Sequence, residues 1–203
     1  MNPVRILIAG LLALIQCSVY AAGQSALQPQ QVYLHLGYDW VDVDDADFDG
    51  AFSAEGGLRW AFSDNVLLEA GVSGINDSET DTLEDNTGSY QLTLNSWDFL
   101  LGGHYQFDFT DKSYGFVRLG LLFYSMEIEL EEGFYGLKPS GKDSTSDNGF
   151  GFYAGGGCAI VMSPNMTLEA QVIFKRRPDF LDGSSRPFDV DTTTISIGTR
   201  YSF

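Results

Sequence analysis

Two histidines, His35 and His104, and a scatter of carboxylates and guanidiniums set into apolar segments are the groups able to do chemistry in this 203-residue chain. A hydrolase needs a histidine within reach of a nucleophile, with a carboxylate to orient it. His35 falls early in one alternating segment and His104 late in another, so both lie near one end of the fold. No His or Cys lies near the opposite, long-loop rim, so a hydrolase triad is unsupported and the histidines read as fillers of polar interior space,. No catalytic residue is expected, and the chain is not read as an enzyme. Metal chemistry has one sharper candidate. Asp45-Ala46-Asp47-Phe48-Asp49-Gly50 matches the first half of a calcium loop, whose pattern then requires Glu six residues after the glycine. Gly56 stands there and Glu55 falls one short. With strand-like flanks an EF-hand is excluded, and a weak Ca2+ site at Asp45, Asp47 and Asp49 is what remains. Cysteine and histidine show no zinc spacing, and no cofactor is expected.

Composition bounds the elements that must position these groups. Asp plus Glu total 28 against 11 Lys plus Arg, a net charge of −17; nucleic acid would be repelled, so it is excluded as a partner. A hydrophobic fraction of 44% excludes an acidic disordered chain,. Abundant Gly and aromatics with few Pro favour strands over helices,.

Residues 1–21 read as a secretory leader: Arg5, the apolar run Ile6–Ile15, then the small residues Val19 and Ala21 before the cleavage point,. The apolar run is too short to span a bilayer. Gln16 before Cys17 argues against lipidation. Cleavage after Ala21 leaves Cys158 alone, so no intramolecular disulfide is expected in the mature domain, 22–203,.

Eight segments alternate with period two: 31–43, 51–62, 66–76, 91–108, 114–130, 149–162, 166–176 and 191–203,. Each is near or above the length a tilted strand needs to cross a membrane. The turns at 63–65, 110–113 and 163–165 are tight, whereas 44–50, 77–90, 131–148 and 177–190 are long and acidic,. Alternating long and short connections describe an antiparallel up-and-down meander. One face is bulky and apolar: Leu34, Leu36 and Trp40; Leu68 and Val72; Phe99 and Leu101; Leu119 and Leu121; Val172 and Phe174; Ile195 and Ile197. The other is Gly, Ser and single charges. Glycine is a poor solvent-facing strand residue, but it suits a crowded lumen. The 149–162 segment is too glycine-rich for its face to be assigned. Trp60, Phe62, Phe107, Phe109, Tyr114, Tyr201 and Phe203 fall near the short turns or the C-terminus, and Tyr38, Trp40, Phe52, Trp97 and Phe174 toward the long loops. These are the heights of two interfacial girdles.

The last eight residues carry a resemblance. Ser196, Gly198, Tyr201 and Phe203 fall at the polar, glycine and aromatic positions of the C-terminal assembly signal of outer-membrane barrels. With the leader and the meander, the chain resembles the small outer-membrane β-barrel superfamily, which includes the OmpA transmembrane domain and the OmpX/Ail group. The resemblance implies an all-β, eight-stranded antiparallel up-and-down transmembrane β-barrel in the cell outer membrane. It also implies outer-membrane lipid and lipopolysaccharide as surroundings, both termini in the periplasm, and insertion by the barrel assembly machinery.

Eight strands leave a lumen just wide enough for side chains to fill. The inward charges are Asp39, Glu55, Glu69, Asp98 and Glu169 against Arg59, Arg118, Lys175 and Arg200. Buried charge is costly unless paired, so this near-balanced set reads as an ion-pair network plugging the lumen. The alternative is a narrow, porin-like channel for ions or small solutes. Most of the acids crowd the long loops, either as a surface for divalent cations or a basic partner or as a solvated face,. Lys175-Arg176-Arg177, with Arg186, would hold lipopolysaccharide phosphate or neutralise neighbouring acids,. The role expected is structural, surface-interactive or adhesive. A lipid-modifying enzyme and a soluble lipocalin-like carrier are further rivals.

Overall fold

The structure, a computed structural model, describes residues 30–43, 46–80, 82–84, 88–134, 141–181 and 187–203. The expected leader lies outside these residues, as do Asp44, Asp45, Asp81, Asp85, Asp182 and Arg186. The eight long strands are β1 (Gln31–Val43), β2 (Ala51–Ala61), β3 (Val66–Glu79), β4 (Gly88–Thr110), β5 (Ser113–Phe134), β6 (Gly141–Ser163), β7 (Met166–Phe180) and β8 (Phe188–Ser202). Each pairs antiparallel with the next. β8 returns to β1 in unbroken register from Gln31↔Ser202 to Val43↔Val190. The expected eight-stranded up-and-down barrel is therefore closed, and closure leaves no sheet edge where all eight strands pair; the Gly141–Gly151 end of β6 runs beyond its last pair with β7, Phe152↔Arg176. Two-residue strands at Ala46–Asp47 and Leu83–Glu84 add short pairings to β1 and β4.

The tight turns follow their sequences. In the β2–β3 turn, the Phe62 and Ser63 amides both donate to the Val66 carbonyl at 2.9 and 3.1 Å. The long connections differ from expectation. Much of 77–90, 131–148 and 177–190 is strand, because β3 runs to Glu79, β4 starts at Gly88, β5 runs to Phe134, β6 starts at Gly141 and β7 runs to Phe180. Acidic side chains there mark a water-facing wall, and the backbone ladder continues beneath them. A bulge between Ile75 and Ser78 carries Asp77 at φ 57°, a left-handed conformation that Asp tolerates,. The extra residue restores the inward direction of Ser78, which is buried.

Side-chain directions divide the molecule. Outward residues include Leu36, Phe52, Leu101, Leu121, Phe150 and Ile197, all well exposed (Phe52 83%) in a belt around the barrel. Apolar surface this large and continuous is that of a wall in lipid. β6 belongs to the same scheme, with Phe150, Phe152 and Ile160 outward and Tyr153 and Ala159 inward.

Toward the long-loop end the two faces exchange character. Going outward along the strands, Trp40 is followed by Asp42, Trp97 by Asn95, Phe123 by Ser125, Phe150 by Asn148 and Phe174 by Arg176. Inside, over the same stretch, Asp39 gives way to Val41 and Val43, Asp98 to Ser96 and then Leu94, Arg177 to Phe180 and Thr192 to Val190. Val41, Val43, Ile75, Leu94, Met126, Phe180 and Val190 belong to one buried apolar cluster, joined from below by Leu100, Leu122 and Ile173.

Candidate functional site

The lumen below that cluster is a connected set of charges. Arg118, on β5, is its hub. Its Nε donates to Glu69 Oε1 at 2.8 Å, Nη1 to Gln171 Oε1 at 2.8 Å and Nη2 to Glu55 Oε1 at 2.6 Å. Arg59, on β2, donates from Nε to the other Glu69 oxygen at 3.2 Å and from Nη1 to both oxygens of Glu169 at 3.1 Å. The Tyr33 ring lies against both guanidiniums, 4.3 Å from Arg59 and 5.3 Å from Arg118, a cation–π arrangement strengthened by desolvation. Tyr153 and Tyr114 donate to Glu69 and Glu169 at 2.7 and 3.1 Å. Arg200 reaches Thr167 at 2.8 Å and comes within 3.8 Å of Glu169.

The inward glycines explain how so many large groups fit. A Cβ on Gly102 would stand 2.3 Å from the Tyr153 hydroxyl, and one on Gly71 would stand 2.5 Å from that of Tyr33. The two tyrosines cross the lumen only because these positions are empty.

The histidines are part of the same network. His35 Nε2 lies 3.1 Å from Glu169 and Nδ1 lies 3.1 Å from the Gln171 amide nitrogen. The amide can only donate, so Nδ1 accepts and Nε2–H donates, which is the neutral tautomer. His104 stacks on Phe116 at 4.7 Å. Its Nε2 is 3.3 Å from Gln106. No nucleophile hydroxyl or thiol is hydrogen-bonded to either ring among the described residues.

A second charged group sits toward the apolar cluster. Asp98 accepts from Arg177 Nε and Nη2 at 3.0 and 2.7 Å and from Lys175 at 3.2 Å. Ser73 bridges Lys175 and Asp98. Two expectations are corrected here. Arg177 is fully buried and belongs to the lumen, because consecutive strand residues point to opposite faces. Arg176 alone faces out, paired with Asp189 and Asp191. Asp39 is inward and buried but has no cationic partner among the described residues; Ser53 donates to it at 2.6 Å, and its second oxygen is unpartnered. With Arg177 added, the lumen's five carboxylates are matched in number by four arginines and one lysine.

The outer wall of the long-loop end has a different chemistry. Glu127, Glu129 and Glu131 share one face of β5, between Asn95, Thr93 and Gln91 of β4 and Ser146, Ser144 and Lys142 of β6. Lys142 lies 3.0 Å from Glu129 and 3.9 Å from Glu131. Along Gly141–Gly151, β6 is paired on the β5 side, with no strand on its other side among the described residues. The proposed calcium residues do not form an isolated loop. Asp47 pairs with Asp42 in a short ladder, the Asp49 amide donates to the Glu79 carbonyl at 2.7 Å, and Asp45 lies outside the described residues. Among the described residues no group of three His, Cys, Asp or Glu side chains is placed to hold a metal.

At the C-terminus, Tyr201 and Phe203 point outward with rings 5.6 Å apart, and Ser196 points inward. Gly198 faces His35, where a Cβ would stand 2.2 Å from the imidazole. One girdle aromatic is misplaced in the sequence reading. Tyr114 is inward and buried, because alternation along β5 sets it on the face of Phe116 and Arg118, where its hydroxyl donates to Glu169,.

The architecture is similar to that of Neisserial surface protein A. Neisserial surface protein A is 12% identical over 85% of this chain and 96% of its own, with a TM-score of 0.55. Ail, the attachment invasion locus protein of Yersinia pestis, is 15% identical over 86% and 99%, with a TM-score of 0.48. OprG of Pseudomonas aeruginosa is 10% identical over 86% and 96%, also at 0.48. No curated protein sequence matches the chain. Residues 9–203 match the family described as outer membrane protein beta-barrel domain, and the chain belongs to that family.

Proposed function

We propose that this protein is a closed, non-conducting outer-membrane barrel whose working surface is its acidic long-loop end, turned away from the cell. In this reading the leader is removed after Ala21, both termini lie in the periplasm, and lipopolysaccharide surrounds the upper belt. The observation that carries the reading is the lumen itself. Arg59, Arg118 and Arg177 are at most 1% exposed and bound by carboxylates from other strands. A conducting path would have to displace pairs whose separation leaves buried charge uncompensated, at about 3–5 kcal/mol each. With the interior occupied, contact with other molecules falls to the outside. There, the glutamate row of β5 and the flank of β6 form a polar wall suited to a basic partner or to divalent cations bridging anionic lipid.

The test is electrical. Purified protein in a planar bilayer is expected to show no conductance steps under an applied potential. Stable, salt-dependent unitary steps would overturn the closed reading in favour of a narrow channel. Labelling of intact cells with a membrane-impermeant thiol reagent, in a Cys158→Ser background, addresses orientation separately: Ser144→Cys is expected to react, and protection of that position while Asp111→Cys in a short turn reacts would reverse the barrel.

A further inference from the structure

Glu55, Glu69, Asp98 and Glu169 each have an arginine at ion-pair distance in the lumen, whereas Asp39 has neither an arginine nor a lysine among the described residues. Lys175 and Arg177, inward on β7, both reach Asp98 instead. Asp39 is 0% exposed; its Oδ1 accepts from Ser53, and its Oδ2 is unpartnered. A buried carboxylate without a counter-charge is costly, so the groups beside it must offset that cost.

Strand β8 supplies those groups. Thr194 is the direct cross-strand partner of Asp39, and Ser196 that of Gly37, one inward position nearer the short turns. Thr194 and Ser196 are buried, and their hydroxyl oxygens are unpartnered, like Asp39 Oδ2. Facing side chains on paired strands start about 5 Å apart at Cβ, and oxygens that do not bond across that gap leave it to a third group. Gly37 makes the room. A Cβ there would stand 2.9 Å from both Thr194 Cγ2 and Ser196 Cβ, so these two side chains lean over the glycine. Ser53, the partner of Gly37 on β2, stands on the other side. We infer that Asp39 Oδ2, Thr194 Oγ1 and Ser196 Oγ bind a small monovalent cation of the sodium class inside the lumen. Such an ion compensates the carboxylate and takes a lone pair from each hydroxyl. Water would satisfy the hydroxyls and leave the charge unpaired. A proton on Oδ2 would make it a donor without an acceptor. Calcium calls for more oxygens than this corner supplies.

The test is thermal unfolding of the refolded protein in a nonionic detergent, followed by circular dichroism in sodium chloride and in choline chloride at one ionic strength. An ion that binds only the folded state raises the midpoint by mass action. Sodium is expected to raise the midpoint of the parent saturably over choline. Asp39→Asn, which keeps every acid of the outer wall, is expected to abolish the difference. Thr194→Val is expected to move half-saturation to severalfold higher sodium, and it carries the test if Asp39→Asn does not refold. No sodium effect in the parent would leave the space to water or a proton. An effect equally large in Asp39→Asn, or a half-saturation unmoved by Thr194→Val, would assign it to the surface acids. Each of these results overturns the site. The readout is stability, so it does not depend on whether the lumen conducts.

Discussion

Glu69 spends both carboxylate oxygens on two different arginines, and one of those oxygens also accepts from Tyr153. Removing it strands Arg59 and Arg118 in the interior with part of their charge uncompensated. Glu69→Ala is expected to lower stability by about 3–5 kcal/mol in denaturant unfolding of the detergent-refolded barrel, and Glu69→Gln, which keeps an acceptor, by less. Asp191 makes the opposite case at the outer wall. Burial raises its pKa first; Asp189 and Asp42 add to the rise and Arg176 opposes it. Asp42 is its direct cross-strand neighbour, a like-charge pairing that destabilises a sheet. A carboxylate with a raised folded pKa favours the folded state most when protonated, and that contribution is lost as pH climbs through the folded value. Asp191→Asn is therefore expected to be more stable than the parent at neutral pH. The difference should vanish when both are unfolded below the ordinary carboxylate range.

At the scale of the strand, alternation decides which residues meet, and glycine decides which of them fit. Gly102→Val would set a branched side chain against the Leu119 carbonyl and the Tyr153 hydroxyl, both 2.3 Å from its Cβ. Such overpacking is expected to cost about 1–3 kcal/mol, seen as a lower temperature for loss of the compact form on gels. The strands were legible in the sequence because period-two alternation with bulky residues on one face has no other cheap solution. Their upper ends were less so. Glu131, Glu132 and Asp143 looked like loop because charge usually marks loop, yet the β5–β6 ladder runs on through them to Glu132↔Gly141. β6 gave no face, since Gly149, Gly151 and Gly155 carry no polarity to read. Arg177 escaped because two adjacent arginines look like one surface feature until the strand is extended by one residue. The partners of each lumen charge depend on barrel curvature, which no local pattern encodes.

Taken whole, the molecule separates its charge. Lumen carboxylates matched in number by lumen cations leave the net charge of −17 to the surfaces in water, where it keeps copies apart and biases encounters toward cations. Closure of β8 on β1 predicts that the unboiled protein migrates in SDS as a compact species and shifts on boiling; a single mobility at all temperatures would count against the closed ring. The pairings also constrain how the ring comes to be. Arg59 reaches Glu169 across 110 residues of chain, and Arg118 reaches Glu55 across 63. A partly assembled sheet in the bilayer would hold these groups with no partner and nothing to hide them from hydrocarbon. Strands added one at a time to an open sheet would meet that cost at every intermediate. Crossing and closing must then be one event, and a chain that ends at Ser163, lacking β7 and β8, is expected to stay at the membrane surface and wash off in alkaline carbonate.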